Sequence, residues 1–386
     1  MRSEYLPVAL PWIGEREKQL VLETLDSGWI TTGRHAQTLG TRIAEMAGAR
    51  HGLAVNSATG ALHLALVALG VKRGDEVITS TYTFAACVNV IEHVGATPVL
   101  VDIEPDTLCL DPRAVEAAIT PRTRAILSVD YAGHPADYRS LLPLAERHGL
   151  PIIEDAAHAL GARLDGRPVG SWATITAFSF YATKNLTTGE GGAAVTNDPK
   201  LAEQLAILSL HGMNRDAWKR YTAAGSWYYE VTLPGYKYNL SDVLAAIGVG
   251  QLERFEEFQR IRGELVAHYH RRLSELPEIR RPITREGVEH AWHLYPIGLE
   301  LERLTIDRAR FIQELRAENV GTSVHFIPIH RHPHFRDTFG FDAARFPVAE
   351  DAYERAITLP LFPRMTERDV DQVCEAVAKV VAHFRR

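Results

Sequence analysis

"ATITAFSFYATKNLTTGEGGAAVT" (173–196) holds the features that decide the fold. Its first part, 173–180, is apolar, β-branched and aromatic and reads as a strand; 191–196 reads as another. A hydroxyl (Ser179) stands near the end of the first, and an aromatic (Tyr181), a lysine without basic neighbours (Lys184) and the glycine cluster "TGEGG" (188–192) lead into the second. A lysine in a loop is ordinarily a solvated lysine. This one follows a strand end, and in an open α/β sheet ligands collect at the carboxyl ends of the strands.

The same alternation extends on both sides. "EVITS" (76–80), "TPVLVDI" (97–103), "TRAILSVDY" (123–131) and "PIIEDA" (151–156) read as strands. "LHLALVALG" (62–70), 84–94 and "YRSLLPLAERHG" (138–149) read as helices between them. Strands apolar on both faces, alternating with helices, predict an α/β fold with a mostly parallel sheet covered on both sides. After 252 the character changes. A long charged amphipathic helix (252–276) leads to a strand (291–300), a helix (307–319), a strand "GTSVHF" (321–326) and a last helix (367–384). The expected organisation is a large unit over 12–251 and a smaller α+β unit over 252–386, with an N-terminal arm, 1–11, packing on the smaller one.

Composition narrows the function classes. The 386 residues are 46% hydrophobic and 23% charged, ordinary for a globular chain with a large core. A net charge of −6 gives no reason to expect nucleic acid or an anionic membrane as partner. Cys87, Cys109 and Cys374 are far apart and form no C-x-x-C pair, so neither a disulfide framework nor a thiolate zinc site is indicated. No signal-peptide-like run opens the sequence, and the longest apolar stretch, 61–70, is too short to span a bilayer. A cytoplasmic location is expected. Neither a P-loop nor a dinucleotide-binding G-x-G-x-x-G is present, which argues against an NTPase or a dehydrogenase. "HRHPHF" (330–335) sets three histidines at alternate positions, but Pro333 interrupts the run and no carboxylate or cysteine adjoins it; no metal is expected.

Four chemical parts converge at the strand ends. Asp155 ends the strand "PIIED" and Ser179 ends "ITAFS". Lys184 follows, and "NSATGAL" (56–62) places Ser57, Ala58 and Thr59 where a helix begins, so free N–H groups face a bound anion. An anion cradle, a hydroxyl, a strand-end carboxylate and a lone lysine are what pyridoxal phosphate requires. The amine bonds to the aldehyde, the carboxylate keeps the ring nitrogen protonated, and hydroxyl and N–H groups hold the phosphate. Phe84, in "TYTFAA", is the candidate for packing on the ring.

"EDAAHALGA" (154–162), "AFSFYATKNLTTGEGGAAVTND" (177–198) and "LPGYKYNLSDVLAAIGVGQL" (233–252) resemble the DegT/StrS family of pyridoxal-phosphate-dependent nucleotide-sugar aminotransferases. So do "SGWITTGRHAQTLGTRIAEMAGA" (27–49) and "YAGHPAD" (131–137), in order along nearly the whole chain. The resemblance implies the type I aminotransferase fold, with a mostly parallel seven-stranded sheet, and a homodimer with shared active sites. By motif it implies Lys184 as the Schiff-base lysine, Asp155 as partner of the pyridine nitrogen and His158 near the ring hydroxyl. Ala58, Thr59 and Ser179 fall at phosphate-contacting positions, Phe84 at the stacking position, and Asn239 where the family reaches the phosphate of the other subunit. Trp29, Thr31, Tyr181, His325 and His330 are expected near the sugar. A lineage of this family that dehydrates sugars has histidine where Lys184 stands, so lysine favours transamination.

The implied activity is transfer of an amino group from L-glutamate, released as 2-oxoglutarate, to a nucleotide-linked keto-sugar. "GYKYNLSD" and the preceding "MNRDAWKRY" resemble the branch that aminates C4 of a UDP- or dTDP-4-keto sugar. The aromatic "GSWYYEV" (225–231) is a further candidate lining of the sugar or nucleotide site. Two alternatives stand beside this reading: amination of a keto-cyclitol, and a cofactor-sensing regulatory domain without turnover. Regulators of that kind carry a DNA-binding domain ahead of the fold, whereas here the fold is expected to start almost at Met1.

Overall fold

The computed structural model describes residues 3–213 and 228–386. "MNRDAWKRY" beyond its first residue, and 225–227 of the aromatic stretch, lie outside them. A seven-stranded sheet organises the first two-thirds of the chain. In spatial order its strands are His51–Val55, Gly192–Thr196, Ile175–Ser179, Ile152–Asp155, Thr123–Val129, Glu76–Ser80 and Thr97–Val101. All are parallel except Gly192–Thr196, which runs antiparallel to both of its neighbours. Helices cover the sheet on both sides, as buried two-sided strands require. Ala58–Ala68 shows the logic: seven consecutive residues, Gly60–Leu66, are buried, so this helix is a core element rather than an amphipathic one.

His51–Val55, with its glycine and histidine, carries weak strand signal and was not among the strands read from the pattern. It is the seventh strand. Gly52 is compelled there: a Cβ on it would lie 2.1 Å from the carbonyl oxygen of Gly40, so the helix Arg34–Met46 packs directly on this backbone.

The C-terminal part builds its own apolar core around an antiparallel sheet of Ile279–Arg280, Tyr295–Leu299 and Ala356–Leu359. The helix Phe255–Leu273 buries Phe258, Leu265, Val266, Tyr269 and Leu273 along one face, and Glu367–Phe384 packs beside it. One expectation is corrected here. "GTSVHF" (321–326) is not a strand; it makes a single bridge, Ser323 to Thr358. Its backbone instead binds the N-terminal arm, with Leu6 N–H donating to Asn319 and Gly321 N–H to Leu6. The strand beside Tyr295–Leu299 is "AITL" (356–359), too short and too close behind the helix Pro347–Arg355 to stand out. Nor are the cores cleanly divided. Ile329, Phe335, Phe346 and Ala349 pack with Ile78, Tyr82 and Ile126 of the large sheet. No helix among the described residues is long and apolar enough to cross a membrane.

Candidate active site

Three parallel strand ends and one helix start meet in a cavity of about 630 Å³. Asp155 is the last residue of Ile152–Asp155, Ser179 the last of Ile175–Ser179, and Lys184 follows in the turn. Asp155 is almost fully buried. Its Oδ1 accepts from the Ala157 N–H at 3.0 Å and its Oδ2 from the Cys87 thiol at 2.9 Å. Burial raises its pKa above the ordinary carboxylate value, while the Cys87 and Ala157 donors and the Lys184 charge act the other way. Lys184 is pushed down to about 8 by the surrounding protein, against the attraction of Asp155. A fraction of its amine is therefore free near neutral pH, as a nucleophile requires.

The anion cradle is the start of Ala58–Ala68. Ser57 caps the helix, its hydroxyl accepting from Gly60 N–H at 3.0 Å. The N–H groups of Ala58 and Thr59, which a first helical turn cannot satisfy internally, border the cavity. The glycine cluster has a concrete task. A Cβ on Gly192 would lie 2.5 Å from the Ala58 nitrogen, so only glycine lets the strand Gly192–Thr196 approach the cradle. At Gly192 the close approach is to the helix start itself.

Opposite lies a wall of neutral histidines. His158 Nδ1 accepts from the Ala132 N–H at 3.2 Å, which leaves the proton of the neutral ring on Nε2. His293 Nδ1 meets Asn185 Oδ1 at 3.2 Å. The amide nitrogen of Asn185 is spent on Ala291 and Gln259, so Nδ1 of His293 is the donor. His325 Nδ1 pairs with Thr358 Oγ1 at 2.8 Å, and its carbonyl accepts from the Tyr131 hydroxyl. Burial, with Lys184 adding to it, depresses all three, His325 to about 4. Phe326 stacks on His158 with ring centres 5.7 Å apart and lies 6.2 Å from Phe84.

Of the residues singled out from the sequence, ten line this cavity: Ser57, Ala58, Thr59, Phe84, Asp155, His158, Ser179, Tyr181, Lys184 and His325. Four do not. Trp29 Nε1 donates to the Thr32 carbonyl, Thr31 accepts from Asp242 N–H, and Asn239 donates to Thr32 Oγ1. They form a separate group of their own on the same chain. His330 is buried elsewhere, Nδ1 on Thr81 Oγ1 and Nε2 on Glu350, stacked on Phe346. It faces packed protein rather than the sugar cavity expected for it. His334 turns instead to Glu92, so the alternate histidines of "HRHPHF" diverge.

Sequence reasoning passed over Cys87, His293 and Glu190. Cys87 was weighed only for disulfides, and its contact with Asp155 spans 68 residues. His293 lay inside an apolar strand pattern, without a motif of its own. Glu190 was seen only as a member of the glycine cluster "TGEGG"; its backbone carbonyl accepts from the Thr188 hydroxyl.

The donor set fits pyridoxal phosphate. A buried carboxylate that accepts from two donors, a lysine of lowered pKa and a helix start kept open by Gly192 border one cavity of adequate size. Residues 11–378 match the DegT/DnrJ/EryC1/StrS aminotransferase family. The chain belongs to this family. Among its relatives, the spore coat polysaccharide biosynthesis protein SpsC of Bacillus subtilis is 47% identical over 381 residues, 98% of each chain. A Streptococcus pneumoniae protein described as a sugar aminotransferase superposes in its PMP-form with a TM-score of 0.92 at 36% identity, covering 98% of this chain and 99% of its own. It has also been solved in a PLP-form. PseC of Helicobacter pylori, an aminotransferase of pseudaminic acid biosynthesis, gives 0.91 at 30% identity, with 99% and 100% covered. The fold is therefore the type I fold of these enzymes, and this member of the DegT/DnrJ/EryC1/StrS family is a pyridoxal-phosphate-dependent aminotransferase.

Proposed function

We propose that the enzyme is a sugar aminotransferase that moves the amino group of L-glutamate to a nucleotide-linked keto-sugar, at C4 of a UDP- or dTDP-4-keto sugar. The observation that carries the reading is the convergence of Lys184, Asp155 and the Ala58–Thr59 cradle on one cavity that Tyr181, Thr183 and His325 also line. The sugar class is supported by the relatives, one acting in polysaccharide and one in pseudaminic acid biosynthesis. The C4 position rests on "GYKYNLSD".

When bound, pyridoxal phosphate supplies an aldehyde that takes up the amino group and a ring that accepts electrons. The chain's residues do the rest. The N–H groups of Ala58 and Thr59, with the Thr59 and Ser179 hydroxyls, hold the phosphate. Asp155 balances the protonated ring nitrogen. Nε2–H of His158 donates toward the ring hydroxyl, and Phe84 packs on the ring face. Once released by the incoming amine, Lys184 would take the proton from the substrate Cα and deliver it to the carbon that had been the cofactor's aldehyde, on the far side of the transferred nitrogen. The neutral histidine wall leaves Lys184 as the principal proton carrier there, because imidazoles held well below their usual pKa do not gain a proton at pH 7. Tyr181 and His325 are the sugar contacts in this reading.

The decisive experiment incubates the enzyme with L-glutamate and a panel of UDP- and dTDP-linked 3-keto and 4-keto sugars, plus a keto-cyclitol. Mass spectrometry and NMR then locate the new amine. A 4-amino nucleotide sugar is the expected product; an aminated cyclitol alone overturns the proposal.

The working unit in this reading is a cytoplasmic homodimer. Trp29, Thr31 and Asn239, absent from the cavity of their own chain, suit a site completed by the partner. Lys184→Ala and Asn239→Ala chains, each nearly inactive, are unfolded together and reassembled. Random pairing makes about half the dimers mixed, each with one intact site, so activity recovers to roughly a quarter of wild type. No recovery despite proven heterodimers places Asn239 in cis.

A further inference from the structure

Cys87 is fully buried, far from Cys109 and Cys374 in sequence, and unused by the chemistry above. It sits in the first turn of the helix Ala85–His93, its N–H donating to the Phe84 carbonyl. Its sulfur lies 2.9 Å from Asp155 Oδ2 and 3.2 Å from Thr83 Oγ1. Proton accounting fixes the direction of both contacts. A carboxylate can only accept, so the single thiol proton goes to Asp155. The Thr83 hydroxyl must then donate to the sulfur. The result is a directed chain, Thr83 to Cys87 to Asp155, in which each donation strengthens the next. Burial beside the Asp155 charge holds the thiol well above its ordinary pKa, so it stays a donor through the neutral range.

We propose that Cys87 is a positioning residue for the cofactor: its thiol holds the Asp155 carboxylate ionised and aimed at the ring nitrogen, and ties that carboxylate to the segment that presents Phe84. The inference rests on Asp155 being the partner of the ring nitrogen. Asp155 is buried, and a buried carboxylate drifts toward its neutral form unless donors hold the charge. Two protein donors are present, the Ala157 N–H on Oδ1 and the thiol on Oδ2. The backbone donor is fixed by the turn after the strand; the thiol is the one the side-chain sequence chooses. Through Thr83 and Cys87 the same helix start sets two contacts to one ring, charge at its nitrogen and an aromatic on its face. Phe84 and Thr83 both line the cavity, while Cys87 stands behind it.

The test compares wild type with Cys87→Ala, Cys87→Ser and Asp155→Asn as full-length proteins. The readouts are pyridoxal phosphate affinity by equilibrium dialysis, the pH midpoint at which bound cofactor is released on acidification, and the melting temperature of the apo-protein. Loss of a hydrogen bond to a charged group makes Cys87→Ala bind cofactor roughly tenfold more weakly. Its release midpoint rises, because Asp155 with one donor fewer protonates at higher pH. Cys87→Ser, which keeps a donor of similar size, returns both toward wild type. A packing defect lowers the melting temperature without moving the release midpoint. If Asp155→Asn weakens binding while Cys87→Ala, folded, leaves affinity and midpoint unchanged, the role of Cys87 is overturned and that of Asp155 stands. If Asp155→Asn changes neither, the assignment of Asp155 falls and this inference falls with it.

Discussion

Lys184→Ala abolishes turnover and the borohydride-reducible link between cofactor and protein. Both effects follow from one side chain. In the proposed reading its amine is the nucleophile that captures the aldehyde, and afterwards the proton carrier at the substrate Cα. Proton transfer alone accounts for a loss of about 10²–10⁴, and loss of the nucleophile adds to it. The fold survives, since Lys184 lines the cavity and belongs to no apolar core, its backbone N–H still reaches the Tyr181 carbonyl, and an alanine methyl is tolerated in that turn. The check is borohydride reduction followed by mass spectrometry of the peptide carrying residue 184, with circular dichroism as the control for folding. A variant that still yields the reduced adduct sinks the assignment. The pH dependence adds a second reading. Only the unprotonated amine captures the aldehyde, and the pKa of Lys184 is lowered to about 8 by burial. Capture by wild-type apo-enzyme therefore accelerates as pH rises through about 8 and levels off above it, rather than climbing onward toward the value of an exposed lysine.

The site's chemistry was legible because it lies at strand ends, and strand ends can be read. "PIIED" and "ITAFS" each finish on a polar residue after an apolar run, and these two ends are neighbours in the sheet, Asp155 in register with Ala177. Glycines were legible as constraints but not as contacts. Only packing shows that Gly192 faces the start of a helix more than a hundred residues earlier. What escaped reading is tertiary in origin. Cys87, in the helix Ala85–His93, becomes relevant only when the fold brings Asp155 beside it, and no local pattern reports that. His293 is hidden for the same reason: its role depends on Asn185, which follows Lys184 by one residue but meets His293 across the fold. His330 is the converse case. The resemblance placed it near the sugar, yet Thr81 and Glu350 engage both of its ring nitrogens and Phe346 covers a face. In the C-terminal part, strand content failed where an edge was contested. "GTSVHF" has better alternation than "AITL", but the N-terminal arm takes the backbone groups of 319–321, and the shorter segment pairs along its length with Tyr295–Leu299.

Asp155→Asn leaves the enzyme able to hold cofactor but slows its reaction with glutamate by about 10²–10³, the scale lost when a preorganised electrostatic partner is removed. The substitution is close to isosteric. The amide oxygen can still accept from Ala157 N–H or from the Cys87 thiol, and the phosphate cradle at Ala58 and Thr59 is untouched, so binding falls far less than rate. What disappears is the negative charge. In the proposed reading that charge would keep the ring nitrogen protonated, and without it the cofactor would be a poorer acceptor of electrons when Lys184 removes the Cα proton. The effect is confined to the chemical step, and stopped-flow absorbance of the cofactor on mixing with glutamate isolates that step from product release. A pH series sharpens the attribution. Burial raises the pKa of Asp155 above that of a free carboxyl, with the Cys87 and Ala157 donors opposing. In the wild type the rate therefore falls as pH drops through that raised value, where the carboxylate becomes neutral. Asparagine does not titrate, so the variant is slow at every pH and lacks this acidic limb. A variant that reacts with glutamate as fast as wild type removes Asp155 from the role. A slow variant that keeps the acidic limb assigns that titration to another group, and the buried pair Asp130 and Glu154, on the neighbouring strand and one residue away, is then the place to look, since burial raises both.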